Sequence, residues 1–175
     1  MANQRVMHTR RAPRPFALTA GWLSLAVGLL LALPNTGRSQ DRRFAIASIE
    51  AKLFYSNSGR LSANILGNPN IVLYNTPMGE GRVEGPSENT LIVVRLQGPP
   101  KGDIEAPRLH ITATTEADTL ADQVIEVGPM NTAGNFYAPC WLEDTGCEPV
   151  EVTVELVNGK ERQQRRVTIP FQCSD

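Results

Sequence analysis

Strict alternation of apolar and polar residues is the feature that most constrains how this chain can fold. In residues 150–156, valine or leucine occupies every even position and glutamate or threonine every odd one. In residues 166–171 the apolar residues fall at odd positions, and Asn158-Gly159, a frequent hairpin dipeptide, lies between the two segments. A two-residue period places apolar side chains on one face of a β-strand. The pattern predicts an antiparallel hairpin whose second strand is an edge, because Pro170 cannot donate to a ladder.

Similar runs recur between Gly-, Pro- and Asn-rich turns at 45–55, 61–65, 71–74, 109–113, 123–127 and 136–142. Residues 90–97 are the most continuously apolar run, which is typical of a central strand. Residues 115–123 form the best helical candidate, but the segment is short, so we expect a loop. About eight short strands predict an all-β fold. We expect a single antiparallel β-sandwich over residues 40–175, with immunoglobulin-like topology, preceded by an N-terminal hydrophobic export or anchor helix.

Residues 1–39 predict export of the rest of the chain. They contain five arginines and no acid, and residues 17–33 are uncharged and mostly apolar up to Pro34. This layout is typical of a signal peptide, with Gly37 and Ser39 as small residues before a cut at Gln40. The alternative is an uncleaved signal anchor, since about 20 apolar residues span a membrane, with membrane contact through residues 16–37. Either kind of N-terminal segment predicts that the β domain lies in the periplasm or outside the cell. The domain would be free after cleavage, or anchored in the cytoplasmic membrane without it.

The charge of the exported body argues against nucleic-acid partners. Residues 40–175 carry 12 of the 17 basic residues and all 18 acidic residues. Nucleic-acid affinity depends on Lys and Arg that neutralise phosphates, and a net negative body opposes it. We therefore expect protein partners, among them an integral membrane complex, and no nucleic acid.

Three cysteines, Cys140, Cys147 and Cys173, predict one disulfide in an oxidising compartment. In the C-terminal hairpin, apolar residues have even numbers in the first strand and odd numbers in the second. The residue numbers of two in-register partners must therefore add up to an odd number, whereas 147 and 173 add up to an even one. That parity disfavours Cys147–Cys173 unless a bulge at Pro149 shifts the register. We expect Cys140–Cys147, which closes a short turn. Cys140–Cys173, with both residues at apolar positions, is the alternative.

No catalytic or metal-binding constellation is recognisable in the exported body. His110 is its one histidine, and it falls at a polar strand position, so we expect it to be exposed. The body has no Cys-x-x-Cys for zinc, no Gly-x-Ser-x-Gly elbow and no Asp-x-Asp-x-Asp-Gly calcium loop. We therefore predict no catalytic residues, no metal and no cofactor, and a protein that is not an enzyme.

Two regions are candidates for binding. The first is the Gly- and Pro-rich segment Asn75–Asn89 with the contact residues Met78, Glu80 and Arg82, although its glycines also fit a purely structural connection. The second is the pair Tyr137 and Trp141, which share the polar positions of one strand. Exposed aromatic residues of this kind are enriched at interfaces, although a neighbouring loop could cover them.

These features predict a non-enzymatic protein-interaction or structural module on the outer side of the cytoplasmic membrane. If the N-terminal helix is retained, the module would be an anchored accessory subunit of a membrane protein complex. The alternative is an extracytoplasmic domain that binds a small ligand or calcium through the Asn75–Asn89 segment or its acidic loops.

Overall fold

A computed structural model describes residues 43–100 and 106–174. The predicted signal peptide or anchor, including the hydrophobic helix and residues 16–37, lies outside these residues. The described residues belong to one compact unit. Within the described ranges, no helix has the length and apolar character needed to cross a membrane.

The described chain is an all-β, sandwich-like structure, as predicted. Its strands form two four-stranded antiparallel sheets with the orders β2-β1-β3-β6 and β5-β4-β7-β8. The one helical element found in the described ranges is a 3₁₀ turn, Thr76–Met78. In chain order the strands are β1 (Ala45–Tyr55), β2 (Arg60–Leu61), β3 (Asn89–Gln97), β4 (Arg108–Thr114), β5 (Thr119–Glu126), β6 (Asn135–Leu142), β7 (Val150–Asn158) and β8 (Glu161–Ile169).

The core lies between the sheets, where alternate residues of each strand point inward. β3 lies between β1 and β6, so the prediction of a central strand over residues 90–97 is confirmed. Both sheets contribute large aliphatic side chains that are less than 2% exposed, and this burial is the main source of stability. They include Ile46, Leu53, Ile92, Leu96, Leu142 from the first sheet and Leu109, Ile111, Leu156, Ile169 from the second.

The C-terminal hairpin has the predicted parity but a different turn. Val150 lies opposite Ile169, so even apolar positions face odd ones. Asn158 pairs with Glu161, which leaves Gly159 and Lys160 as the loop. Gly159 has φ 58°, and Lys160 is not among the residues with positive φ. A glycine with positive φ at the first loop position is the pattern of a type II′ turn, so the predicted Asn158-Gly159 turn was one residue early. β8 is an edge strand, as Pro170 predicted.

Two predicted strands are not formed as regular strands. After Leu61 the chain runs beside β1, where Ser62 Oγ accepts from Leu53 N (2.9 Å) and Asn64 Oδ1 from Ala51 N (3.0 Å). Short polar side chains compete in this way with a regular ladder. The expected strand at 71–74 is reduced to a parallel bridge between Tyr74 and Gln172.

The disulfide joins Cys147 to Cys173, so the predicted Cys140–Cys147 pairing and its Cys140–Cys173 alternative are wrong. The parity rule fails because the chain stops pairing with β7 at the end of β8, after Ile169. Gln172 N instead donates to Leu73 O (2.9 Å), and the hairpin register no longer determines where Cys173 lies. Cys140 lies opposite Ile92 and is buried in the core.

Candidate functional site

The outward side of the first sheet carries an apolar surface, which we call the aromatic face. It consists of Phe54, Leu91, Val93, Tyr137, Pro139 and Trp141. The antiparallel register places Trp141 of β6 opposite Leu91 of β3, and Pro139 opposite Val93. Between them on β6, Ala138 and Cys140 point inward and are buried. The period of the strand therefore brings all outward apolar residues of β6 to one surface.

Two aromatic side chains dominate this face. Tyr137 is 54% exposed and Trp141 is 51% exposed. Trp141 packs edge-to-face against Phe54, with ring centroids 5.6 Å apart and planes at 85°. Leu91, although it points outward, is only 9% exposed and lies outside the main core cluster. The aromatic pair predicted from the sequence is thus exposed on the sheet, and no loop among the described residues buries it.

Polar groups border the aromatic face on β1 and at Arg95 of β3, which lies opposite Tyr137. Glu50 and Lys52 form an ion pair (3.2 Å), and Arg95 Nε donates to Ser48 Oγ (3.3 Å). Protein interfaces commonly combine an apolar centre with a polar rim. This side of the sheet has that composition.

The sequence pattern also indicates three further residues of the aromatic face, Phe54, Leu91 and Val93. In β1 the apolar residues of residues 45–55 fall at odd positions except for Ile46 and Phe54. Ile46 is buried and precedes a shift in the register against β3, whereas Phe54 follows that shift and points outward. Leu91 and Val93 lie in a run that is apolar at both parities. Such a run indicates a strand with apolar residues on both faces, so the outward side of β3 could have been found from the sequence.

The Asn75–Asn89 segment is tied down by its own polar residues. Asn75 is buried in the left-handed conformation (φ 47°), and its N–H donates to Gln172 O (2.7 Å). Its Nδ2 donates to Glu80 Oε2 (2.9 Å), so the Glu80 carboxylate holds the segment together. A Cβ at Gly79 (φ 80°) would lie 2.9 Å from Pro86 N, a contact only glycine avoids.

Both ends of this segment are further anchored. Ser174 N donates to Asn75 Oδ1 (3.2 Å), and Ser87 Oγ donates to Phe54 O (3.0 Å). Met78 remains 67% exposed, and Arg82 is exposed. Among the described residues, no hydrogen bond, ion pair or ring contact joins Met78, Glu80 or Arg82 to the aromatic pair. The contacts favour a structural connection, and binding through this segment stays a prediction.

The outward side of the second sheet, the charged face, has a different composition. Glu155 pairs with Arg162 (2.9 Å) and Glu151 with Arg166 (3.4 Å) across β7 and β8. On β4, His110 is partly exposed and pairs with Asp122 of β5. No serine takes part in that pair, so it lacks the third member of a nucleophile-base-acid triad.

The remaining candidates for a reactive or ligand-binding site do not belong to the aromatic face. Within residues 43–100 and 106–174, no group of three His, Cys, Asp or Glu side chains could hold a metal ion. An open cleft of about 630 Å³ is lined by residues 114–117 with Glu148, Pro149, Glu151 and Thr168, away from Met78 and Arg82. Burial raises the pKa of the Cys140 thiol, which keeps it protonated and unreactive.

Comparison with known proteins gives little further. No protein-family model matches the chain. No curated protein matches it. Among solved structures, a crystal structure from Bacteroides fragilis, assigned as a beta-galactosidase, is similar over 47% of this chain at 11% identity, with a TM-score of 0.35. The match covers 14% of that longer chain.

Proposed function

We propose that residues 40–175 form an exported protein-interaction module without catalytic activity, and that the aromatic face is the surface that contacts its partner. In the sharper form of the proposal, the N-terminal segment anchors the module as an accessory subunit of a membrane protein complex. The partner is then a protein whose contact surface is apolar at its centre.

The observation that carries the proposal is the exposure of Tyr137 and Trp141 on the apolar outward side of β3 and β6. Large apolar surfaces rimmed by polar residues mark interaction sites, because water contact with them is unfavourable. Aromatic residues are also the commonest residues that dominate binding energy. The inward positions already supply the core, so the fold itself does not require these outward aromatics.

The strand order supports an immunoglobulin-like topology for this module. If β1, β3, β4, β5, β6, β7 and β8 are strands A, B, C, C′, E, F and G, the sheets read A-B-E and C′-C-F-G. This arrangement differs from the constant-type immunoglobulin sandwich in two respects. The two-residue strand β2 is added beside A, and the fourth strand of the series pairs with C instead of E. Such sandwiches serve as scaffolds for many binding surfaces, so the topology fits the proposal.

The disulfide supports the exported location. Disulfides persist mainly in secreted, periplasmic and extracellular proteins. Cys147–Cys173 encloses a separation of 26 residues and ties the C-terminal segment beside Gly146. Together with the arginine-rich, apolar N-terminal segment, it favours a body that works outside the cytoplasm.

Site-specific photocrosslinking in the native cells tests the proposal. A photoreactive amino acid replaces Trp141 on the aromatic face. The matched control replaces Gln164, which lies on the charged face at an exposed strand position. We expect Trp141 to give a discrete crosslinked protein, Tyr137→Ser to abolish it, and Gln164 to give none.

The opposite result is equally clear. Equal crosslinking from Trp141 and Gln164, or none from Trp141 in cells that contain the full-length protein, would overturn the aromatic face as the contact surface. Intact mass of the crosslinked species distinguishes a cleaved body from an anchored one.

A further inference from the structure

The sheet edges of the described chain differ in how they are protected. An edge strand exposes unpaired N–H and C=O groups, and proteins block such edges with proline, inward charges or covering segments. β6 contains Pro139 in its centre. On β8, Gln163 Nε2 donates to Phe44 O (2.7 Å) and Arg165 Nη1 to Ala47 O (3.3 Å), which ties this edge to β1. The β1 edge is covered by β2 and the residues that follow it.

β5 has a bulge at Leu120, where its register against β4 shifts, but the residues after the bulge have none of the devices above. The strand is eight residues long, contains no proline and no lysine, and pairs with β4 alone among the described strands. Val124, on its outward side, is 62% exposed. An exposed edge strand is the element to which a partner adds a strand by main-chain hydrogen bonds.

The surroundings of β5 are acidic. Residues 109–159 contain nine Asp and Glu and no Lys or Arg. Glu116 and Asp118 lie in the turn that leads into β5, and Asp122 and Glu126 lie on its outward side. Asp122 pairs with His110, whereas no described residue forms an ion pair with Glu116, Asp118 or Glu126. Arg108 of β4 lies opposite Glu126, and its positive charge reduces the negative charge at the C-terminal end of β5.

We propose that β5 accepts an added strand from a basic, extended segment of a partner protein. The outward residues of that segment would be Lys or Arg beside Asp122 and Glu126, with an apolar residue between them beside Val124. Its other residues would be small or apolar, since they would lie beside Ala121, Gln123 and Ile125. Charge complementarity favours this occupant over an acidic one. The inference rests on the proposed function and adds a second contact surface.

A short peptide tests this edge directly. The probe is the octapeptide Thr-Lys-Val-Val-Thr-Lys-Val-Thr, titrated into the labelled body and followed by amide chemical shifts. One control peptide carries Glu for both Lys, and another carries proline at its two central positions, which removes donors on both sides. We expect shifts confined to β5 and β4, at least tenfold weaker binding of the Glu peptide, and no binding of the proline peptide.

Matched variants locate the site. Asp122→Lys with Glu126→Lys reverses the charge beside β5, whereas Gln164→Lys with Thr168→Lys adds two lysines at the same spacing on β8, half of that charge change. We expect the first pair to weaken binding of the Lys peptide at least tenfold and the second pair to leave it within about twofold. Unchanged circular dichroism shows that each variant is folded.

Three results would overturn the inference: no shifts at millimolar peptide, equal binding of the Lys and Glu peptides, or shifts centred on β6 or β8. Photocrosslinking from Trp141 separates this failure from failure of the proposed function. If that crosslink persists while the peptide fails, only the β5 site is wrong.

Discussion

The two outer faces of this molecule share one backbone pattern and differ in chemistry. On the first sheet, the outward positions of β3 and β6 carry Leu91, Val93, Tyr137 and Trp141. On the second, the outward positions of β7 and β8 carry paired charges such as Glu151 and Arg166. Both faces lie over the same buried core, so the fold does not account for the difference. Outward positions are free to vary, and an apolar choice there needs another reason.

The simplest reason for apolar residues at these outward positions is that a partner covers them. An exposed apolar face promotes non-specific association, and soluble domains keep such surfaces small unless a partner uses them. Charged outward residues avoid that risk, as on the second sheet. The contrast between the faces is therefore the basis of the functional proposal, and the following experiments test each half of it.

The largest loss of stability is expected from truncating core residues, which lie beneath both faces. Ile92→Ala in the first sheet and Ile111→Ala in the second should each destabilise the body by about 3 to 4 kcal/mol, because each removes a fully buried side chain and leaves a cavity. Val93→Ala, on the outward side next to Ile92, should cost under about 1 kcal/mol. Urea unfolding measures all three. A much smaller cost for Ile111→Ala than for Ile92→Ala would show that the sheets do not share one core.

The disulfide should contribute almost as much without altering either face. Cys147→Ser with Cys173→Ser should lower the free energy of unfolding by about 3.5 kcal/mol, the value expected for a loop of 26 residues in the chain-entropy model. Thermal unfolding measures the loss, with Cys140→Ser as the single-cysteine comparison. An unchanged melting temperature on removal of Cys147 and Cys173 would contradict this pairing.

Within the aromatic face, the contact of Phe54 and Trp141 should be measurable as a coupling. A double-mutant cycle with Phe54→Ala and Trp141→Ala should give an interaction energy of about 1 kcal/mol, as is typical of edge-to-face pairs. Equilibrium unfolding of the two single variants and the double variant supplies the values. Additive costs would mean that Trp141 does not pack on Phe54 in solution.

The smallest effect belongs to the charged face. Glu151→Gln with Arg166→Gln should change stability by under about 1 kcal/mol, because both side chains are largely exposed and water screens the pair. Any cost should shrink further in 1 M salt. A salt-independent loss above 2 kcal/mol would point to a structural role that the exposure of these side chains does not predict.

The sequence predicted the parts of the fold that depend on regular alternation or on a continuous apolar run. The hairpin of Val150 to Ile169 follows from a period-two pattern, and the central position of β3 follows from a run that is apolar on both faces. It predicted poorly where polar groups replace a ladder, as at Ser62 and Asn64, and where an edge strand is exposed on both sides. The start of β5 at Thr119 was missed for that second reason.

The candidate site was partly predictable for the same physical reason. Parity put Tyr137 and Trp141 outward, and the structure places them there. The pairing of Cys147 with Cys173 was not predictable by parity, because it depends on where the chain goes after Ile169, outside the hairpin. The proximity of Phe54 to Trp141 depends on how β1, β3 and β6 are ordered, which no local pattern determines.

Oxidative footprinting of the native assembly tests the central claim most directly. Hydroxyl radicals modify exposed Tyr, Trp and Met side chains, so rates at Tyr137, Trp141 and Met78 can be compared between native extracts and the purified body. We predict that Tyr137 and Trp141 are protected severalfold in the native extract, while Met78 reacts at the same rate in both. Protection of Met78 with unchanged rates at Tyr137 and Trp141 would contradict the aromatic face and assign binding to the Asn75–Asn89 segment.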